Sequence, residues 1–216
     1  MMSRLATCCL FVLLTLAAGA QQPSNTSLCV RDLFKQMPDS IIPYLTPNNR
    51  LDMLDFWDSG MHADVKNELD GHSQLTMLRD SCLTVQLSEA CRLDLVLLAS
   101  RQAVDSVPAV VCAIFTLGIG SPSSATAVPA IKPRQSEVRF YSASWRRLTF
   151  SDLVALPPDD ESFFSSVPYM AEWQPDSRLL CLKSCSFLDV PSEEGQDAVP
   201  ERLISIKWDG KIFNKP

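Results

Sequence analysis

The stretch from Leu83 to Leu97 constrains this chain more than any other. Leu83, Val85 and Leu87 alternate with Cys82, Thr84 and Gln86. After a short Ser88-Glu89-Ala90 connection, Cys91, Leu93, Leu95 and Leu97 resume the alternation. A period of two puts successive side chains on opposite faces, so both segments read as half-buried strands. So short a connection favours antiparallel pairing, because a parallel return needs a crossover of a dozen residues or more. A turn centred near Glu89 puts Cys82 across from about Val96.

The strand pattern continues downstream. Residues 110–117 are apolar at both parities, which marks an interior strand. Residues 137–141 alternate with Val138 and Phe140 inward, and residues 145–149 pair with them. Residues 150–164 combine a Pro157-Pro158 break with helix. Residues 179–183, reaching toward Phe187, and residues 203–208 are further strands. Trp208-Asp209-Gly210-Lys211 reads as a hairpin turn into an edge at Ile212 and Phe213.

Upstream of Gln74 the period is helical. Cys29, Leu33, Phe34 and Met37 predict a short amphipathic helix over 30–36, ended by Pro38. Asp39 or Ser40 caps a following turn through Ile41, Ile42 and Leu45. Pro47-Asn48-Asn49 opens a second helix, with Leu51, Leu54, Phe56 and Trp57 on its buried side and Gly60 near its end. Residues 62–69 read as a third helical stretch, stopped by Asp70-Gly71. The expected fold class is α+β: short N-terminal helices packed against an antiparallel meander sheet. Residues 121–136, rich in Pro, Ser and Ala between two strands, read as an exposed insertion loop.

The first twenty residues read as an address rather than as structure. Arg4 is followed by an apolar run over 5–16 and by Ala18-Gly19-Ala20 before Gln21, the three-part pattern of a secretory signal peptide. The run is short for a membrane anchor, which needs about 20 residues. Later segments offer no transmembrane span: the apolar residues 107–120 are interrupted by Pro108 and Gly118. Residues 21–28 form a loose polar linker, and residues 29–216 read as one domain. Losing Arg4 moves the formal charge from −6 to −7. With Lys+Arg 19 against Asp+Glu 25, there is no electrostatic reason to bind nucleic acid. The expected location is the periplasm or cell surface.

A family resemblance rests on several of these segments. Residues 37–46, Met-Pro-Asp-Ser-Ile-Ile-Pro-Tyr-Leu-Thr, are followed by Asn49-Arg50-Leu51-Asp52-Met53-Leu54-Asp55-Phe56. Next in order come residues 77–88, Val138-Arg139-Phe140-Tyr141 with Trp145, and Trp208-Asp209-Gly210-Lys211. Together they resemble an uncharacterised family of small exported proteins from the Bacteroidales. The resemblance spans about residues 31–213 and implies a periplasmic or surface protein. It implies no activity, cofactor or catalytic residue. The chain departs from that family in its 121–136 insertion and its cysteines.

Familiar catalytic patterns are missing: no Gly-x-Ser-x-Gly, no His-Glu-x-x-His and no P-loop. Glycine is only 7 of 216 residues, which leaves little for phosphate-cradling loops. No cofactor is called for. A serine or cysteine nucleophile would need His62 or His72 as its base, and a surface role is the simpler reading of both. A metal site from His62 and His72 with Asp58 or Asp64 matches no known ligand spacing. Asp52, Asp55 and Asp58 read as a solvated helix face. Six cysteines follow the leader. Cys181 and Cys185 are a candidate disulfide only if the chain bends at Ser184, and Cys112 reads as a buried apolar residue. Asp39-Ser40-Ile41 and Asp105-Ser106-Val107 resemble the short O-glycosylation signal of exported Bacteroidetes proteins, with a helix cap and a turn as the bland readings; Asn25-Thr26-Ser27 fits the N-linked sequon.

The functional expectation is a non-catalytic binding or envelope-assembly module whose partner is an envelope protein or a glycan. It predicts an exposed apolar or aromatic patch, with Tyr169, Trp173 or Trp145 as candidate members. The alternative is a hydrolase with a His/carboxylate site around His62, His72 and Asp58.

Overall fold

The computed structural model describes residues 28–98, 109–118, 134–185 and 202–216. The leader, Asn25, Ser106 and most of the expected insertion loop lie outside the described residues.

Two helices come first. α1 (Val30–Gln36) stops where Pro38 forces Met37 into an extended conformation. α2 (Pro47–Asp58) starts on a reciprocal cap: the Asn49 backbone N–H donates to Thr46 Oγ1 (3.1 Å) while the Thr46 N–H donates to Asn49 Oδ1 (3.0 Å). Pro47 at the first helical position costs no hydrogen bond there. Gly60, at φ +67°, turns the chain out of the helix.

The buried side of α2 differs from the expectation. Arg50, Met53 and Leu54 face inward, whereas Leu51 and Trp57 are exposed. The reason is Arg50. Its guanidinium turns inward and donates to the carbonyls of Leu45 and Met37 (both 2.7 Å) and to Asp39 Oδ1 (3.0 Å). The helix rotates to accommodate those bonds.

Seven strands then form one antiparallel sheet in sequence order: β1 (Asp64–Lys66), β2 (His72–Leu78), β3 (Cys82–Ser88), β4 (Cys91–Leu98), β5 (Val110–Gly118), β6 (Arg134–Ser142) and β7 (Arg147–Leu148). The register pairs Cys82 with Val96, as the turn geometry required. The third helical stretch expected over 62–69 is instead β1 and its turn. Val65 is its buried position, and Asn67 holds the hairpin closed by accepting from the Leu69 and Gly71 N–H groups (both 3.0 Å). The insertion loop is also shorter than expected, because Arg134, Gln135 and Ser136 belong to β6.

The last strands leave the meander. After α3 (Phe150–Leu153) and α4 (Pro158–Ser166), the strands β8 (Tyr169–Gln174), β9 (Leu179–Ser184), β10 (Leu203–Trp208) and β11 (Phe213–Asn214) form a second antiparallel sheet, ordered β11-β10-β9-β8. The single meander expected from sequence is therefore two sheets. The alternation along β3 to β6 distributes side chains into two cores. Leu83, Val85, Leu93, Leu95, Val111 and Ala113 pack under α1 and α2. Cys112, Ile114, Val138 and Phe140 point the other way, onto Leu180, Leu182, Ile206 and Phe213 of the second sheet. This double coverage explains why β5 is apolar on both faces.

Candidate functional site: the open face of the large sheet

The side of the large sheet that meets the second sheet changes character along its strands. At the end carrying Cys82, Val96, Cys112 and Phe140 it is apolar and covered. At the other end the paired positions are polar. Asp64 lies opposite Gln74, Gln74 opposite Gln86, Gln86 opposite Arg92, Arg92 opposite Thr116 and Thr116 opposite Ser136. Directly paired residues share a face, so one polar row runs across six adjacent strands.

The row is held by local bonds. Arg92 Nε donates to Asp94 Oδ2 (2.9 Å), and Thr84 Oγ1 donates to Asp94 Oδ1 (2.7 Å). Gln86 Nε2 donates to the Ser88 carbonyl (2.6 Å), which orients its amide beside the β3–β4 turn. Thr116 and Ser136 are buried and bond to each other (3.1 Å). From Arg92 back to Asp64 the row is half-buried. The arrangement is a half-buried, hydrogen-bonding row whose donors and acceptors are already oriented.

The histidines stand at the outer end of this surface. His72 Nδ1 is 2.7 Å from Asp64 Oδ1, and His62 Nε2 is 3.2 Å from Gln74 Nε2. Both rings are exposed. Asp58 is elsewhere, in a two-pronged ion pair with Arg31 (2.5 and 2.7 Å) that ties α1 to the end of α2. That guanidinium holds the Asp58 carboxyl below the usual carboxylate range. The expected cluster of His62, His72 and Asp58 is thus not assembled; Asp64 is the carboxylate beside His72. Among the described residues, no three His, Cys, Asp or Glu side chains are grouped to hold a metal ion.

The other candidate residues are spread over the fold. Ser40 is exposed in the turn after α1. Cys181 and Cys185 are not joined: the Cys181 thiol meets Ser205 Oγ at 3.4 Å, and the Cys185 backbone N–H donates to the Pro168 carbonyl. Burial raises the Cys112 thiol far above its ordinary pKa, in line with its reading as an apolar residue. The expected exposed aromatic patch is corrected. Trp145 is buried, while Tyr169 and Trp173 pack partly buried against the second core because they sit on the inward parity of β8. No helix among the described residues is long and apolar enough to cross a membrane.

Sequence reasoning missed the polar row, although its members were legible one by one. The signal was that Thr84, Gln86, Arg92 and Asp94 occupy the same parity as the apolar Cys82 and Val96. A strand that changes from polar to apolar on one parity is covered over only part of its length.

The fold is a helix-backed antiparallel sheet with a second sheet on its opposite side. The family described as protein of unknown function (DUF3256) matches residues 24–180, and the chain belongs to that family. A solved domain of an uncharacterized protein from Porphyromonas gingivalis W83 is similar in fold, with a TM-score of 0.62 over 87% of this chain and 97% of that one. The two are 15% identical, so the likeness concerns fold alone. No curated protein matches the chain.

Proposed function

We propose that this protein is an exported, non-catalytic binding or assembly module of the cell envelope, and that it engages its partner through the open face of the large sheet. The observation that carries this reading is the polar row from Asp64 to Arg92. It is a row of oriented, half-buried hydrogen-bonding groups across four adjacent strands. Such a surface suits a partner that supplies complementary donors and acceptors over several strands. The signal-peptide pattern over residues 1–20 supports export.

A hydrolase remains the second reading, because His72 and Asp64 have the spacing of a base and its orienting carboxylate. The exposure of both groups, 71% and 39% of their side chains, argues against it: catalytic electrostatics gain strength where water is excluded. The deciding experiment is crosslinking capture from the native envelope with wild type, Arg92→Glu and His72→Ala. A partner lost with Arg92→Glu and retained with His72→Ala supports the binding module. Hydrolysis of an ester, glycoside or peptide substrate that disappears with His72→Ala overturns it.

A further inference from the structure

Three features meet in the β6–β7 hairpin. Trp145 holds φ +62°, a left-handed conformation that bulky residues rarely enter. Its indole Nε1 is one of two buried side-chain N or O atoms without a hydrogen-bond partner among the described residues. The same hairpin concentrates positive charge: Arg139, Arg146 and Arg147 stand against the single acid Glu137 in a chain of formal charge −6. Strained backbone and orphaned buried donors gather where a segment serves something besides stability.

Arg139 provides an internal template for Arg147, whose contact with the same carboxylate is longer. The Arg139 guanidinium lies over the Phe115 ring at 4.7 Å and grips both Glu137 oxygens, at 2.6 and 2.5 Å. Arg147 repeats the aromatic half of that arrangement, over the Tyr141 ring at 5.5 Å, with Nη1 3.4 Å from the Tyr141 hydroxyl. The carboxylate half is different. Glu137 Oε1 is 3.9 Å from Arg147 Nη2, beyond hydrogen-bond length, because Arg139 holds the carboxylate. The Arg147 side chain is 55% exposed. A stacked guanidinium is pre-oriented, and its planar fork matches a carboxylate with two parallel bonds.

We propose that Arg147 receives a carboxylate from an extended acidic peptide segment of a partner protein, laid along the outer edge of β7. This rests on the binding-module reading and adds a second contact, on the helix-backed side of the large sheet. Charge complementarity selects an acidic partner. The place of β7 selects a peptide: among the described residues it is the last strand of the large sheet, and a sheet edge can take an extended segment. An acidic polysaccharide fits less well. Phe115 and Tyr141 already carry guanidiniums and Trp145 is buried, which leaves no aromatic face here for a sugar ring.

The test is fluorescence anisotropy of labelled poly-L-glutamate with the purified protein, with unlabelled polygalacturonate and polyglutamine as competitors. Poly-L-glutamate binding should weaken about tenfold or more in Arg147→Gln, the scale of one lost charge-assisted pair. It should stay within about twofold in Lys207→Gln/Lys211→Gln, which removes the same kind of charge from the β10–β11 hairpin of the second sheet. Arg147 is exposed, so the variant should keep the wild-type melting temperature, and a circular-dichroism melt verifies this. Equal binding by Arg147→Gln, an equal loss in the lysine variant, competition by polygalacturonate alone, or no binding to wild type would each overturn the proposal. If Arg147→Gln behaves as wild type here while envelope capture still depends on Arg92, the peptide site fails and the binding-module reading stands. Loss of capture dependence on Arg92 defeats that reading itself.

Discussion

The guanidinium of Arg50, a residue 1% exposed, donates to the carbonyl oxygen of Met37 at 2.7 Å and so joins the first turn of α2 to the residue that caps the end of α1. A second bond to the Leu45 carbonyl and an ion pair to Asp39 complete the clamp. The partner carboxylate is largely exposed, so the two buried carbonyls carry most of the consequence. Arg50→Leu leaves both without a donor, at about 1–3 kcal/mol each. A loss of about 2–5 kcal/mol in urea unfolding is expected, with Arg50→Lys recovering part of it. A loss below about 1 kcal/mol would show that water replaces the guanidinium.

Phe213 couples the two sheets. Its ring lies 5.8 Å from Phe140 of the large sheet, 6.2 Å from Trp173 and 5.0 Å from Trp208. Phe213→Ala removes a fully buried ring and should cost about 3–5 kcal/mol. Phe213→Leu, which keeps most of the volume, should cost markedly less. Equal losses in the two variants would contradict the packing described.

Trp145 separates packing from hydrogen bonding. Its ring is buried at 5.6 Å from Tyr141, while its Nε1 has no partner. Trp145→Phe removes an orphaned donor and should change stability by less than about 1.5 kcal/mol. Trp145→Gly relieves the left-handed φ but loses the ring, and should be destabilising by about 3 kcal/mol. Chemical denaturation of the two variants decides the ordering.

Stability should fall at alkaline pH. Burial raises the thiols of Cys82, Cys91 and Cys112 above the ordinary value of 9.0. A raised folded pKa contributes stability that is complete below the unfolded value, so it is lost as pH climbs past about 9, where only the unfolded chain ionises. The melting temperature should therefore drop between about pH 8 and 10.5, and Cys112→Ala should flatten the drop. In native protein iodoacetamide should modify half-buried Cys181 before these three. A pH-independent melt would contradict the burial of the thiols.

Much of this fold is readable from local chemistry. Val30–Gln36, the start of α2 at Pro47, the Cys82–Val96 register and the β10 span all follow from period, proline and turn length. The errors have physical causes. β1 has three residues and one buried apolar side chain, Val65, too little to display a period. The phase of α2 is set by Arg50, whose charge reads as a surface residue until Met37 and Leu45 are seen to offer carbonyls. β8 alternates Tyr169, Ala171 and Trp173 with Met170, Glu172 and Gln174, but the apolar Met170 blurs the pattern. The second sheet and the half-buried polar row depend on which strands lie over which, and no local pattern encodes that. Asp58 pairs with Arg31, 27 residues away, for the same reason.

The open face is tested most directly by site-specific photocrosslinking in native cells. A photoreactive side chain replaces Gln86, in the middle of the row, and in a control replaces Ser165, exposed on α4. One discrete adduct in the envelope fraction from position 86, and none from position 165, is the expected result. The same adduct from both positions, no adduct from position 86, or protein confined to the cytoplasmic fraction would contradict an exported module that binds through this face.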